Sequence, residues 1–149
     1  MISVQQQDFN QQSEYERLRC QSSIGAIVTF TGLVRDINDG YSVSDLCLEH
    51  YPGMTEKSLM NIVEQAKSRW NIIASTVIHR VGQLSINDQI VFVGIASQHR
   101  GDAFAACEFI MDYLKTEAPF WKKETMESGE SKWVDARESD HKTRSKWVM

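Results

Sequence analysis

A long apolar run near the middle of the chain constrains the fold more than any other feature. Residues 90–96 read Ile-Val-Phe-Val-Gly-Ile-Ala, so neither face of an extended strand here carries a charged side chain. A strand that is apolar on both faces has to be covered on both sides, which predicts a central strand at Gln89–Ser97. A helix is predicted to follow from about Gly101. Its buried stripe consists of small and apolar side chains, namely Ala103, Ala106, Cys107, Ile110 and Leu114.

The rest of the pattern alternates between strands and helices. Apolar runs rich in β-branched residues predict further strands at 25–31, 42–50 and 72–81, and a short closing strand at 132–136. The dipeptide Asp39-Gly40 is a hairpin signal between the first two of these strands. A polar turn at 85–88 is predicted to lead into the central strand.

Two further helices are predicted from capping signals and apolar spacing. The segment Ser13-Glu-Tyr-Glu16 has the form of a capping box, and we expect Tyr15 and Leu18 to face inward. Thr55 is predicted to cap the second helix. The apolar stripe of that helix consists of Leu59, Ile62, Val63, Ala66 and Trp70.

Composition argues against several classes of protein. The formal net charge of −4 is not that of a general nucleic-acid binder. No apolar segment reaches the roughly 18 residues of a membrane span, and the N-terminus lacks a signal-peptide pattern. Three widely spaced cysteines without a Cys-x-x-Cys pair suit a reducing cytoplasm, and we expect all three to be buried. We expect one domain over residues 1–149, with a polar tail at about 137–149 in which Trp147 is a candidate anchor.

The segment 111–124 carries the strongest chemical signal. It places Lys115 near the end of a predicted helix, and Lys122 and Lys123 just past the break that Pro119 imposes. Ammonium groups held close together and shielded by aromatic neighbours favour the uncharged amine, which acts in acid–base or covalent chemistry. The alternative is a set of solvated surface lysines that complement the helix dipole. The break turns Lys122 either back towards Lys115 or away from it.

Three residues suit an anionic ligand. His99 and Arg100 lie where the central strand meets the next helix, and a helix N-terminus favours a phosphate. Arg100 alternatively pairs with Asp102 on the surface. Arg35, after the strand at 25–31, either reaches the same anion or is an ordinary loop charge. The turn at 50–54 is explained by its proline and glycine, and no catalysis is assigned to it. The four histidines are too scattered for a metal site, so the residues favour a cationic pocket acting on an anionic small molecule without a metal.

Several motifs together resemble one protein family. In chain order they are Gly25-Ala-Ile-Val-Thr-Phe-Thr-Gly-x-Val-Arg35, Leu48-Glu-His-Tyr-Pro-Gly-Met-Thr-Glu-Lys57, His79-Arg-Val-Gly82, His99-Arg100, Phe109-Ile-Met-Asp-Tyr-Leu-Lys-Thr116, Ala118-Pro-Phe-Trp-Lys-Lys-Glu124 and Trp133-Val-Asp-Ala-Arg137. The chain resembles the large, catalytic subunit of molybdopterin synthase. The resemblance implies an α+β hammerhead-type fold with antiparallel or mixed sheets and packed helices. It also implies a homodimer within a heterotetramer, with a small ubiquitin-like sulfur-carrier subunit at each end, whose C-terminal Gly-Gly carries a thiocarboxylate.

The reaction that the resemblance implies is sulfur transfer to cyclic pyranopterin monophosphate in the cytoplasm. Two thiocarboxylate donors act in turn to build the dithiolene of molybdopterin, with no cofactor and no metal, and no cysteine lies in the motifs as a sulfur carrier. The matching positions are Lys115 and Lys122 for catalysis, Arg35, His99 and Arg100 for the anionic group of the substrate, and Lys123 and Glu124 for the pocket wall. The alternative is a non-catalytic scaffold that binds a ubiquitin-like protein or an anionic ligand.

Overall fold

The computed structural model describes residues 1–38, 41–134 and Trp147. This part of the chain contains three helices and two sheets, which confirms the expected α+β class. The strands are β1 (Ile2–Gln5), β2 (Ala26–Leu33), β3 (Ile37–Asn38), β4 (Tyr41–His50), β5 (Ala74–Arg80), β6 (Gly82–Ser85), β7 (Gln89–Ser97), β8 (Phe120–Met126) and β9 (Ser131–Val134). The helices are α1 (Gln11–Leu18), α2 (Met54–Arg69) and α3 (Arg100–Glu117). Among the described residues, no helix is long and apolar enough to cross a membrane.

The first sheet is built around the predicted central strand. Its order is β1-β5-β7-β2, with β1 parallel to β5 and the other neighbours antiparallel. β7 pairs with β5 on one side and with β2 on the other, and residues 91–97 within it are all buried. The prediction of a covered central strand at Gln89–Ser97 is therefore confirmed.

Helices cover both faces of this sheet. The apolar stripes of α2 and α3 pack on one face, against Val77, Val93 and Ile95. α1 packs on the other face, where Leu18 belongs to the same cluster as Phe92. A Cβ added at Gly94 would lie 2.5 Å from Cδ1 of Leu18, so glycine here lets α1 approach the strand closely. The two helical stripes predicted from the sequence are confirmed as core, with Trp70 half-buried.

The second sheet is antiparallel and follows directly from the first. Its order is β3-β4-β8-β9, and β6 also pairs with β4. Gly82, at the start of β6, has a φ of 88°, a conformation that glycine adopts readily and that turns the chain out of β5. The sequence pattern does not predict β6 or β8, because β6 has only four residues and β8 carries three charged residues in a row at 122–124.

Two expectations about helix ends are wrong in detail. α1 begins after Asn10, whose Oδ1 accepts a hydrogen bond from the Ser13 N–H at 2.9 Å, so Ser13 is not the cap. Tyr15 is 39% exposed, whereas Leu18 is buried as expected, because the inward positions of this helix are 14 and 18. α2 begins after Gly53, and the Thr55 hydroxyl instead donates to the carbonyl of Tyr51 at 3.0 Å.

The remaining expectations concern the cysteines and the C-terminus, and only some of them are confirmed. Cys107 is buried and Cys47 is partly buried, but Cys20 is exposed, which corrects the expectation that all three are buried. Trp147 packs edge-on against Trp70 and Phe109, so its predicted role as an anchor is confirmed. The hairpin signal Asp39-Gly40 and the polar run 137–146 lie outside the described residues.

Candidate active site

A tight turn joins α3 to β8 and places one lysine on each side of it. α3 ends at Glu117, Ala118 is extended with ψ of 134°, and β8 begins immediately after Pro119. Lys115 therefore lies in the last turn of the helix, and Lys122 is the third residue of the strand. The hydroxyl oxygen of Thr55, whose single proton is shared between the carbonyls of Tyr51 and Pro119, lies 3.3 Å from the Pro119 carbonyl oxygen, which places this turn at the start of α2.

The register of β8 against β4 decides which face each side chain takes. Phe120 lies opposite His50, Lys122 opposite Leu48, and Glu124 opposite Leu46. Opposite residues of an antiparallel pair point to the same face, and successive residues point to opposite faces. Lys122 therefore shares a face with Phe120, Glu124 and the buried leucines Leu46 and Leu48, and we call this the lysine face.

The neighbouring residues of β8 point the other way. Trp121 and Lys123 occupy the opposite face of the strand, where Trp121 is 47% exposed. The ammonium of Lys123 lies 6.0 Å from the ring centroid of Trp133, across the β8–β9 pair. Two residues were predicted for the pocket wall. The structure places Glu124 on the same face of β8 as Lys122, and it places Lys123 on the opposite face.

A buried histidine connects the lysine face to the first sheet. His79 of β5 is 6% exposed, and its ring stacks on Phe120 with the centroids 3.8 Å apart and the planes 19° apart. Burial lowers the pKa of His79 from 6.5 to about 4, against the opposing effect of its hydrogen bond with the Arg80 carbonyl. The neighbouring basic groups of Lys122, His50 and Lys115 lower this pKa further, so both lysines lie within electrostatic reach of one ring.

His50 completes the lysine face. It lies opposite Phe120, and its Nδ1 is buried without a hydrogen-bond partner among the described residues. A buried polar atom without a partner is uncommon in folded proteins. Neither His50 nor His79 was assigned a site role from the sequence. The available signal for His79 is a histidine at an inward position of an apolar strand, two residues after the buried Val77.

The residues expected to bind an anion are divided between two ends of the first sheet. β2 runs antiparallel to β7, with Ala26 opposite Ser97 and Leu33 opposite Gln89. Arg35 follows β2 near the start of β7, whereas His99 and Arg100 follow the end of β7. At about 3.3 Å per residue, the length of β7 separates them by roughly 25 Å. Within one chain, Arg35 therefore does not meet His99 and Arg100 at a single anion.

Arg35 lies at the same end as the lysines. Val34, immediately before it, belongs to a buried cluster with Leu46 and Leu48 of β4, and Phe120 packs against that cluster. Arg100 begins α3 and Lys115 lies 15 residues later, a distance of about 22 Å at 1.5 Å per helical residue. The lysine face and the His99–Arg100 end are thus two separate cationic regions in one chain.

The alternative of an ion pair between Arg100 and Asp102 is not seen in the described residues. Oδ2 of Asp102 accepts a hydrogen bond from the Asn71 N–H at 2.9 Å, and Arg100 is exposed at the first position of α3. His99 precedes the helix without a capping hydrogen bond from its side chain. Within the described ranges, no group of three His, Cys, Asp or Glu side chains is arranged to hold a metal ion.

Comparison with known proteins identifies the family. Residues 4–117 match the family described as MoaE protein. The chain belongs to the MoaE protein family. A relative from Ralstonia nicotianae, named molybdopterin synthase catalytic subunit, is 58% identical over 147 residues, covering 98% of this chain and 83% of the relative. The family that the sequence motifs resemble is therefore confirmed.

Solved structures of MoaE-type proteins share the fold. The molybdopterin biosynthesis MoaE protein from Burkholderia ambifaria superposes with a TM-score of 0.84 at 50% identity, covering 100% of this chain and 98% of that chain. A chain from the complex of subunits 1 and 2 of molybdopterin-converting factor from Helicobacter pylori has a TM-score of 0.72 at 19% identity, covering 92% of this chain and 90% of that chain. This second similarity concerns the fold alone.

The MoaE family match includes some residues of the candidate site and leaves out others. It includes Arg35, His99, Arg100 and Lys115, but it ends before β8 begins at Phe120. The alignment with the Ralstonia relative extends over 147 residues and so continues well into the C-terminal part. The placement of Lys122 on the same face as Phe120 therefore comes from the strand register rather than from the family match.

Proposed function

We propose that this MoaE-family chain is the catalytic subunit of a cytoplasmic molybdopterin synthase. It transfers two sulfurs to cyclic pyranopterin monophosphate from the thiocarboxylated C-terminus of a small ubiquitin-like subunit. The curated relative that is 58% identical over 98% of this chain supports the assignment. The observation that carries the chemistry is that a tight turn at Ala118 and Pro119 places Lys115, in the last turn of α3, and Lys122, the third residue of β8, at the same end of the chain.

Two lysines on either side of a tight turn suit this reaction. The thiocarboxylate sulfur bonds to a carbon of the pterin and displaces an oxygen substituent as water. A second water then attacks the acyl carbon, so the acyl C–S bond breaks and the small subunit leaves as a carboxylate. Negative charge develops on the oxygen of the tetrahedral intermediate, and an ammonium held in place stabilises that charge. Lys115, at the end of α3, protonates the departing oxygen or holds the acyl carbonyl. Lys122 stabilises the oxyanion from β8. Glu124 shares the face of Lys122 and forms part of the wall, whereas Lys123 contacts the surface tryptophan Trp133.

The anionic group of the substrate needs residues from two copies of the chain. Arg35 lies at the lysine end, and His99 and Arg100 lie about 22 Å away along α3. A substrate as small as a pterin phosphate does not reach both regions in one chain. In a symmetric dimer whose two-fold axis passes near the middle of the facing elements, the lysines and Arg35 of one copy would lie at the same end as His99 and Arg100 of the other.

The edge of the first sheet suits such a dimer. β2 is the last strand of this sheet in the described part of the chain, with Phe30 41% and Leu33 47% exposed. If two β2 strands pair antiparallel about a central two-fold axis, Arg35 of one copy lies beside the Gly25 end of the other. Gly25 donates to the carbonyl of Ser97 at 2.9 Å, so that end adjoins His99. One pairing would thus bring the two cationic regions together.

Reconstitution tests the proposed activity. The purified chain is incubated with thiocarboxylated small subunit and cyclic pyranopterin monophosphate, and molybdopterin is measured. Formation of molybdopterin that depends on Lys115 supports the enzyme. Binding of the small subunit without any lysine-dependent turnover would favour the alternative, a non-catalytic scaffold.

A second version of the donor tests how sulfur is delivered. An extended glycine terminus passes a narrow channel because it has no side chains. One residue added after the terminal glycine should abolish turnover and leave docking of the globular parts largely intact. Unchanged turnover with the extended donor would contradict delivery through a pocket at Lys115 and Lys122.

A further inference from the structure

His79 lies beside the lysine face and takes no part in the sulfur transfer as proposed. Its ring is held in two ways, by a hydrogen bond of 2.8 Å between Nδ1 and the Arg80 carbonyl and by the stack on Phe120 at 3.8 Å. A carbonyl oxygen only accepts, so Nδ1 carries the proton and donates it. Both contacts together define the position and the orientation of the ring.

The backbone that receives this hydrogen bond is itself fixed. Nε and Nη2 of Arg80 donate to the carbonyl of Gln6 at 3.1 and 3.0 Å, and Nη1 donates to the carbonyl of Gln89 at 3.0 Å. The next amide, of Val81, donates to the carbonyl of Gln5 at 2.9 Å. The Arg80 segment is therefore anchored to the end of β1 and to the start of β7.

Phe120 connects the fixed ring of His79 to the lysine face, because it stacks on that ring and lies on that face. It packs against both the main core cluster and the cluster of Val34, Leu46 and Leu48. Lys122 follows two residues later in the same strand, on the same face as Phe120. We propose that His79 is a positioning residue for Lys122, acting through the ring of Phe120. This rests on the proposed function, in which Lys122 takes part in the transfer.

A histidine meets requirements that other side chains meet only in part. Phenylalanine keeps a flat ring against Phe120 but does not donate to the Arg80 carbonyl. Asparagine keeps a donor near the Nδ1 position but has no ring to stack. Burial keeps the pKa of His79 near 4, so the ring is uncharged at neutral pH and adds no third cation beside Lys115 and Lys122.

Steady-state kinetics of four variants test the contact. His79→Asn and Phe120→Leu each remove the stack, and kcat should fall by about tenfold with the KM for the pterin within about twofold, as expected for misplaced catalytic groups. The double variant should lose no more than either single variant, because both remove one contact. His79→Phe keeps the ring and should retain more activity than His79→Asn.

Phe92→Leu is the matched control. Phe92 is fully buried in β7 on the opposite face of the same sheet, where it packs with Leu18. The Phe92→Leu variant should lose stability, as Phe120→Leu does, but its kcat should stay within about twofold of the wild-type value. Unchanged kcat in His79→Asn, or losses in all variants that simply follow their melting temperatures, would overturn the positioning role.

Chemical labelling gives a second measurement that needs no sulfur donor. The acylation rate of Lys122 by an amine-selective reagent is measured by mass spectrometry, with Lys67 on α2 as an exposed reference. In His79→Asn and Phe120→Leu, the rate at Lys122 should change by about threefold or more, because its surroundings change, while the rate at Lys67 stays constant. Identical labelling in wild type and both variants would overturn the proposal. Altered labelling at Lys122, together with a wild-type chain that forms no molybdopterin, would support positioning and count against the proposed function alone.

Discussion

The two ends of α3 both carry cationic side chains, but they are built differently. At the C-terminal end, Lys115 precedes a tight turn into β8, and Phe120, two residues before Lys122, stacks on the buried ring of His79. At the N-terminal end, His99 and Arg100 are exposed side chains that follow the end of β7. All four side chains are exposed, but the lysines adjoin a second sheet of the same chain, whereas His99 and Arg100 lie at the end of the first sheet.

This difference separates two tasks that a single cationic pocket would combine. Catalytic groups gain from being held in a fixed geometry before the substrate arrives, and the stacked ring and the strand register supply that geometry at the lysine end. Exposed charges are weakened by water and salt, so the lysines as well as His99 and Arg100 act most strongly when a bound partner or a second copy of the chain covers them. We therefore expect the lysine end to control turnover and the arginine end to control substrate binding in a dimer.

The largest effect is expected at the lysine end. Lys115→Ala should lower turnover by about a hundredfold or more, the scale of a lost general acid or oxyanion donor. Lys115 is exposed, whereas Ile110 and Leu114 supply the core contacts of the helix, so the free energy of unfolding should change by no more than roughly 1 kcal/mol. Molybdopterin formation and urea unfolding of the same samples measure both quantities.

Two further variants sharpen this prediction. Lys122→Ala should also be impaired, and the Lys115→Ala, Lys122→Ala double variant should lose less than the sum of the single losses, because the two lysines act as a unit. Lys115→Arg keeps the charge but does not release a proton near neutral pH, so it should not restore activity. A fully active Lys115→Arg would limit Lys115 to a purely electrostatic role.

The buried ring at the lysine end predicts a dependence of stability on pH. Since the pKa of His79 is lowered from 6.5 to about 4 on folding, the unfolded chain takes up this proton first as the pH falls. The contribution of uncharged His79 to the free energy of unfolding is fully present above pH 6.5. It is lost as the pH falls from 6.5 to 4, and the loss amounts to roughly 3 kcal/mol. Urea unfolding between pH 7 and 4 should show a shallower profile for His79→Phe than for wild type. Parallel profiles would mean that His79 is not buried in its uncharged form.

At the N-terminal end of α3, we expect the loss of Arg100 to weaken substrate binding. Arg100→Ala should weaken binding of the pterin monophosphate by about 1.5–3 kcal/mol, as for a lost charge-assisted hydrogen bond. Raised salt should reproduce part of this loss in the wild type. Substrate titration of both proteins measures the effect, and wild-type affinity in the variant would place Arg100 outside the site.

Mixing Lys115→Ala with Arg100→Ala, at a pterin concentration too low for Arg100→Ala alone to turn over, tests whether the two ends meet across a dimer. If each site takes its lysines from one copy and Arg100 from the other, a dimer of Lys115→Ala with Arg100→Ala contains one intact site. Equal mixing with free exchange should then restore about a quarter of the wild-type activity, since half of the dimers are mixed. No recovery after verified exchange would contradict a site shared between copies.

The smallest effect is expected midway along α3. Burial, together with the nearby Glu108, raises the pKa of Cys107 to about 12, so its thiol stays protonated and unreactive near neutral pH. Cys107→Ala should keep turnover within about twofold and stability within about 1 kcal/mol. Alkylation at pH 8, followed by mass spectrometry, should modify the exposed Cys20 before Cys107. Loss of sulfur transfer in Cys107→Ala would reopen a role for a cysteine.

The elements that the sequence predicts well are those whose signal is local. The apolar run at 90–96 is sufficient to predict β7, because a strand without a polar face has to be covered on both sides. The spacing of apolar residues likewise predicts the buried stripes of α2 and α3, and Pro119 predicts the end of α3. The motifs of the chain were sufficient to identify its family.

The arrangement of the candidate site depended on contacts between distant parts of the chain. β8 is polar enough to be missed, and it becomes a strand because it pairs with β4, about 70 residues earlier in the chain. That register alone places Lys122 on the lysine face and its neighbour Lys123 on the opposite face. The antiparallel pairing of β2 with β7 separates Arg35 from His99 and Arg100. Periodicity reports how each segment faces its surroundings, whereas register and pairing follow from packing between segments, so only the tertiary structure decided which charges meet.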